Sequence, residues 1–146
     1  MNYLDYAATT PVNAEVLEVI TKEMASFGNP SSVYRIGREQ KQKIERVKKA
    51  ILSELQASPH DAIIFTSSGS EGNNLVFESI REHFAKEKGH IIVSAVEHPS
   101  VRKPAEFLEQ EGFEVTYLAP NKDGIVTVSE IEQALREDTR LVSIMT

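Results

Sequence analysis

Apolar residues recur along this chain with two different periods, and the switch between them sets the expected fold. Val16, Leu17, Ile20, Met24 and Phe27 fall on one helical face and predict an amphipathic helix over 13–27. Asn13 is its expected N-cap, and Gly28, Asn29 and Pro30 are its expected stop. Ile44, Val47, Ile51 and Leu55 predict a longer helix over 37–56. The other face of that helix carries Lys41, Lys43, Lys48 and Lys49, a charge run expected to be solvated. Ahead of both, "NYLDY" alternates and predicts a short edge strand.

From Ala62 onward strands and helices alternate. "AIIF" reads as a buried strand, and 70–86 as a helix with Val76, Ile80 and Phe84 on one face. "HIIVSAV" is a strand and "PSVRKPAEFLEQEG" largely helix, with Pro104 expected in a first turn, where its missing N–H costs little. "FEVTYLA" is a strand and "PNKDG" a turn. Ser129 and Glu132 have capping-box spacing for a short helix, and "RLVSIMT" is a final strand. This order predicts an α/β fold with right-handed crossovers and a mainly parallel sheet. The division expected is an N-terminal helical segment, 1–60, and an incomplete α/β domain, 61–146. An apolar strand at the very end needs further neighbours, so a fragment is expected.

Composition narrows the classes. With 146 residues, 40% hydrophobic and 26% charged, the chain suits one soluble globular domain. A formal charge of -6 argues against nucleic acid as the main partner. No apolar run approaches membrane-spanning length, and "MNYLDYAATTPV" is no secretory signal, so a cytoplasmic location is expected. There is no cysteine, which removes disulfides, thiolate metal sites and cysteine nucleophiles from these residues. His60, His83, His90 and His98 have no metal-helix spacing, and the first three are expected in boundary or surface roles.

Two junctions carry candidate chemistry. In "IIFTSSGSEGNNLVF" an apolar run breaks at Ser67-Ser68-Gly69-Ser70 and a helix begins. Unpaired N–H groups at a helix start, with the Ser70 hydroxyl and the close approach Gly69 allows, suit a phosphate dianion. The spacing alone fits equally a plain turn with serine as N-cap. Gly72, costly inside a helix, suggests a looser first turn. In "SAVEHPSV", His98 follows a strand at the same sheet edge, where an imidazole can cover a flat ring and move protons. A histidine capping the next helix is the alternative there.

"YLDYAATTPV", "FGNPSSVYRIGRE", "IIFTSSGSEGNNL", "VEHPSV" and "GFEVTYLAPNKDGIV" occur in that order. Together they resemble the N-terminal part of cysteine desulfurases of the NifS/IscS type, in the class V aminotransferase group of pyridoxal-phosphate (PLP) enzymes. The resemblance implies part of a PLP-transferase type I large domain. It implies that Gly69 and Ser70 bind the PLP phosphate and that His98 stacks on the ring and transfers protons. Ala7 to Thr10 resemble a segment lining the substrate entrance. The implied activity is conversion of L-cysteine to L-alanine with sulfur passed to an acceptor protein for iron–sulfur clusters or thiolated nucleotides, in a homodimer. Tyr34 stands where the family usually has histidine, and Ser68, Gly69 and Gly72 replace the usual Gly, Ala and Ser. The family's Schiff-base lysine and persulfide cysteine lie in segments downstream of those matched here, so this chain alone is expected to be inactive. A non-catalytic interaction module, and a piece of another class V aminotransferase-type enzyme, are the alternatives.

Overall fold

The computed structural model describes residues 2–6, 8–58 and 60–145. The chain resolves into two compact units, Met1–Ile64 and Phe65–Thr146.

The first unit holds helices α1 (Ala14–Met24) and α2 (Arg35–Glu54). Asn13 caps α1 as expected, its Oδ1 accepting the Glu15 N–H at 2.8 Å. Gly37 is the buried residue of α2. A Cβ there would lie 2.4 Å from the Asn29 carbonyl oxygen, so only glycine lets the 29–32 turn close on the helix. The lysine face is not wholly solvated. Lys43 donates to Glu23 at 2.6 Å and to Ser26 Oγ at 3.1 Å, and Gln40 reaches the same hydroxyl at 3.0 Å. "NYLDY" is not a strand: Asp5 there accepts the Ala8 N–H through its carbonyl at 3.1 Å and closes a turn. A local side-chain and backbone bond has outcompeted a ladder that had no neighbour.

The second unit runs α3 (Gly69–His83), β1 (His90–Ser94), α4 (Pro99–Gln110), β2 (Glu114–Leu118), α5 (Val128–Ala134) and β3 (Thr139–Ser143). The three strands are parallel in the order β2-β1-β3. Central β1 is buried along its whole length. Ile91 and Val93 share one face of it and pack with Phe77 of α3, Val101, Ala105 and Leu108 of α4, and Phe113. Alternate residues of a strand point to one face, which is why these two meet the helices.

Several elements differ from the sequence expectation. "AIIF" is not a strand: Ile64 is 71% and Phe65 55% exposed, and no described strand pairs with it. An apolar run becomes a strand only where a ladder partner exists. Phe77 is the buried residue of α3, Ile80 and the C-cap Phe84 pack half-buried beside it, and Val76 stays exposed. The capping box is Thr127–Glu130, not Ser129–Glu132, with Thr127 Oγ1 and Glu130 Oε2 2.7 Å apart. Ser129 lies inside the helix and accepts from Gln133 at 3.2 Å. Pro99, not Pro104, takes the first turn of α4, and Pro104 sits inside the helix. The last strand stops at Ser143, and Thr146 lies outside the described residues.

His90 is the clearest departure, because the sequence suggested only boundary chemistry. It is 1% exposed. Its Nδ1 meets Thr139 Oγ1 at 2.9 Å and its Nε2 meets Thr116 Oγ1 at 2.7 Å. One imidazole therefore joins all three strands, because β1 lies between β2 and β3. Burial, helped by Arg136, pushes its pKa down against the pull of Asp138 and Glu114.

Candidate functional site

The sheet order sets where a ligand can sit. The chain leaves β1, forms β2 on one side, then crosses to β3 on the other. The strand order thus reverses between β1 and β3, and open α/β sheets bind ligands beyond the carboxyl ends of strands at such a point. The segment after β1 carries His98.

Helix α3 opens with a self-locked loop. Ser68 is its N-cap, Oγ accepting the Glu71 N–H at 3.2 Å. The Glu71 carboxylate turns back and accepts the Ser67 N–H and hydroxyl, both at 2.6 Å. The Ser67 hydroxyl and then its amide hold the Glu71 carboxyl below the usual range. Thr66 Oγ1 donates to the Ser68 carbonyl at 3.0 Å. The serine-capped turn is therefore real, and it leaves other donors free. The N–H groups of Gly69 and Ser70 and the Ser70 hydroxyl have no acceptor among the described residues, and both residues are exposed. A Cβ on Gly69 would meet nothing within 4 Å, so the space beside these donors is open. Gly72 is not needed for close approach either: a Cβ there would touch only Thr66 Oγ1, at 3.5 Å.

Helix α4 opens with His98 as its N-cap, so the capping role and an exposed ring occur together. Its Nδ1 accepts the Ser100 N–H at 3.1 Å and lies 2.8 Å from Ser100 Oγ. Asn73, one turn into α3, donates from Nδ2 to Ser100 Oγ at 2.9 Å. That bond draws the start of α4 against the first turns of α3. Behind His98, Glu97 accepts the Ser94 hydroxyl at 3.2 Å and the Ser143 hydroxyl at 3.4 Å, tying the turn to the ends of β1 and β3.

Gly69, Ser70 and His98 were expected from the sequence, and they sit at the starts of two adjoining helices. Asn73, Ser100 and Glu97 were missed. The signal for Ser100 was present in "HPS", where a serine two residues after a helix-capping histidine can reach back to it. The entrance-like segment 7–10 lies in the first unit, and Ala7 is outside the described residues. Tyr34 caps α2 without a side-chain bond and is exposed. A groove of about 710 Å³ runs past Lys48, Ser53, Gln56 and Asp61 in the first unit and touches none of these residues. Among the described residues no group of three His, Asp or Glu could hold a metal, and no helix is long and apolar enough to cross a membrane.

A parallel sheet with helix starts gathered at its carboxyl edge defines an α/β fold with flanking helices. The chain belongs to the aminotransferase class-V family, whose family model matches residues 2–146. It is 44% identical over 144 residues to the cysteine desulfurase IscS of Dictyoglomus turgidum, covering 98% of this chain and 36% of that protein. Among solved structures, "SspA in complex with cysteine" matches with a TM-score of 0.89 and 38% identity, over 99% of this chain and 42% of that one. A NifS-like protein matches with a TM-score of 0.86 and 35% identity, over 96% and 38%. The chain thus spans little more than a third of the length of the curated relative it matches. The α/β class with a parallel sheet and flanking helices, of PLP-transferase type, is the class observed.

Proposed function

We propose that these residues form the phosphate and ring-covering part of a PLP site in a cysteine desulfurase. The Gly69 and Ser70 N–H groups and the Ser70 hydroxyl would hold the cofactor phosphate. Their free donors and the open space at Gly69 fit a dianion at a helix start. His98, exposed at the neighbouring helix start, would lie against the pyridine ring and handle a proton beside it. When bound, PLP supplies an electron sink for the bonds broken at an amino-acid substrate. L-cysteine as substrate, a homodimer and a sulfur-accepting partner protein belong to the same reading. In this reading the chain supplies no persulfide carrier, since it contains no cysteine.

One observation carries the proposal: the 2.9 Å bond from Asn73 to Ser100, which joins the two helix starts. Had Gly69 and His98 lain on opposite sides of the unit, no single cofactor could reach both. The reading predicts phosphate-dependent binding. PLP titrated into the purified chain should change its absorbance and bind more tightly than pyridoxal, which lacks the phosphate. Ser70→Ala should weaken PLP and leave pyridoxal nearly unchanged. Equal binding of the two compounds, or no effect of Ser70→Ala, would count against it. The chain mixed with PLP and L-cysteine should release no sulfide beyond free PLP. Turnover there would show that these residues suffice for catalysis.

A further inference from the structure

We propose that Ser100 and Asn73 are positioning residues that fix the proton of His98 on Nε2, so the ring faces its ligand as a hydrogen-bond donor. This deepens the reading of His98 given above, but the tautomer itself does not depend on PLP. A backbone amide can only donate, and the Ser100 N–H points at Nδ1 from 3.1 Å. Nδ1 therefore carries no proton, and the neutral ring must hold its proton on Nε2. The Ser100 hydroxyl, 2.8 Å from the same nitrogen, has one hydrogen to give. Asn73 Nδ2 occupies an oxygen lone pair of that hydroxyl at 2.9 Å, leaving its hydrogen free to point at Nδ1. The three side chains thus form a one-way chain of donors: Asn73 to Ser100 to His98. Reversing the Asn73 amide would turn an oxygen lone pair of Ser100 towards the bare Nδ1. The Ser100 backbone amide already forbids a proton there, so only one direction is consistent. The adjacent carboxylate, Glu97, is engaged by Ser94 and Ser143, and no charged side chain bonds His98 among the described residues.

This arrangement inverts the usual catalytic histidine, in which a carboxylate or carbonyl accepts from Nδ1–H and leaves Nε2 as the base. Here Nε2–H donates first. A second proton has only Nδ1 to go to, where it would displace the Ser100 backbone N–H and reverse the bond to the Ser100 hydroxyl.

Long-range ¹H–¹⁵N spectra of the ligand-free, labelled chain above neutral pH read the tautomer directly. The expected result is a protonated Nε2 and a bare Nδ1 whose resonance is displaced by its two donors. Ser100→Ala removes one donor and should move Nδ1 towards the free-nitrogen value, and Ser100→Thr should return it. Asn73→Asp replaces a donor by an acceptor, which takes the serine hydrogen, and should move Nδ1 as Ser100→Ala does. A proton on Nδ1, or an average of both tautomers, in the unsubstituted chain overturns the proposal. So does an Nδ1 resonance unmoved by Ser100→Ala or by Asn73→Asp in variants whose backbone spectra remain folded. Because no cofactor is added, failure here is distinguishable from failure of PLP to bind.

Discussion

In residues 1–64 the apolar faces of α1 and α2 stay largely in solvent: Leu17 is 54% and Val47 50% exposed, while Ile51 and Leu52 are half-buried. In residues 65–146 helices of comparable pattern close over β1, where Ile91, Ile92 and Val93 are fully buried. Both sets of helices show the same 3.6-residue spacing. What differs is the surface available inside each unit. The second unit has a sheet whose pleat offers a flat apolar face, and the first has no strand among its described residues. Periodicity identifies a helix and which side is apolar; it does not say what that side will meet.

The largest test of this contrast is truncation in each unit. Ile91→Ala should cost about 2–5 kcal/mol in urea unfolding, the range for an emptied, fully enclosed site. Leu17→Ala, on a face already wet, should cost well under half as much. Equal losses would break the comparison. Next comes the imidazole that joins the strands. His90→Leu strands two threonine hydroxyls and should cost about 1–3 kcal/mol at neutral pH. Its pH signature has a definite sign. The folded pKa lies below the unfolded value of about 6.5, so the folded state binds fewer protons. The stabilisation is complete above pH 6.5 and is lost as pH falls through the lower folded value. Urea midpoints measured against pH should show this decline, and His90→Leu should flatten it.

Smaller effects sharpen the contrast further. Gly72→Ala should stabilise by about 0.5–1 kcal/mol, since the helix gains and the new methyl meets only Thr66 at ordinary contact distance. A loss would mean the loop needs a conformation that alanine resists. Lys43→Ala, in the first unit, should change the midpoint least, and added salt should erase what change there is. The Lys43–Glu23 pair is exposed, and water screens it.

Much of the second unit was readable because pattern and setting agree there. The runs at 90–94 and 114–118 have neighbours to pair with, so apolar sequence became strand. "AIIF" had the same appearance without a partner and stayed irregular. The candidate residues were readable as positions because Ser-Gly-Ser at a helix start and a histidine after a strand are local signals, and those two helix starts lie side by side. Asn73 and Ser100 were not readable as a pair. They are 27 positions apart, and only the packing of α3 on α4 brings them together. His90 was misjudged for a similar reason: its partners, Thr116 and Thr139, are set by strand register rather than by sequence spacing.

Pro104 has a mechanical consequence. Lacking an N–H, it cannot donate to the carbonyl of Ser100 four residues earlier, and a proline ring inside a helix crowds the carbonyl at that spacing. The opening turn of α4 is therefore stitched to the rest of its rod by fewer bonds than an unbroken helix would have. That turn, with the imidazole at its tip, is held instead by Val101 in the core and by the bond from Asn73 to Ser100.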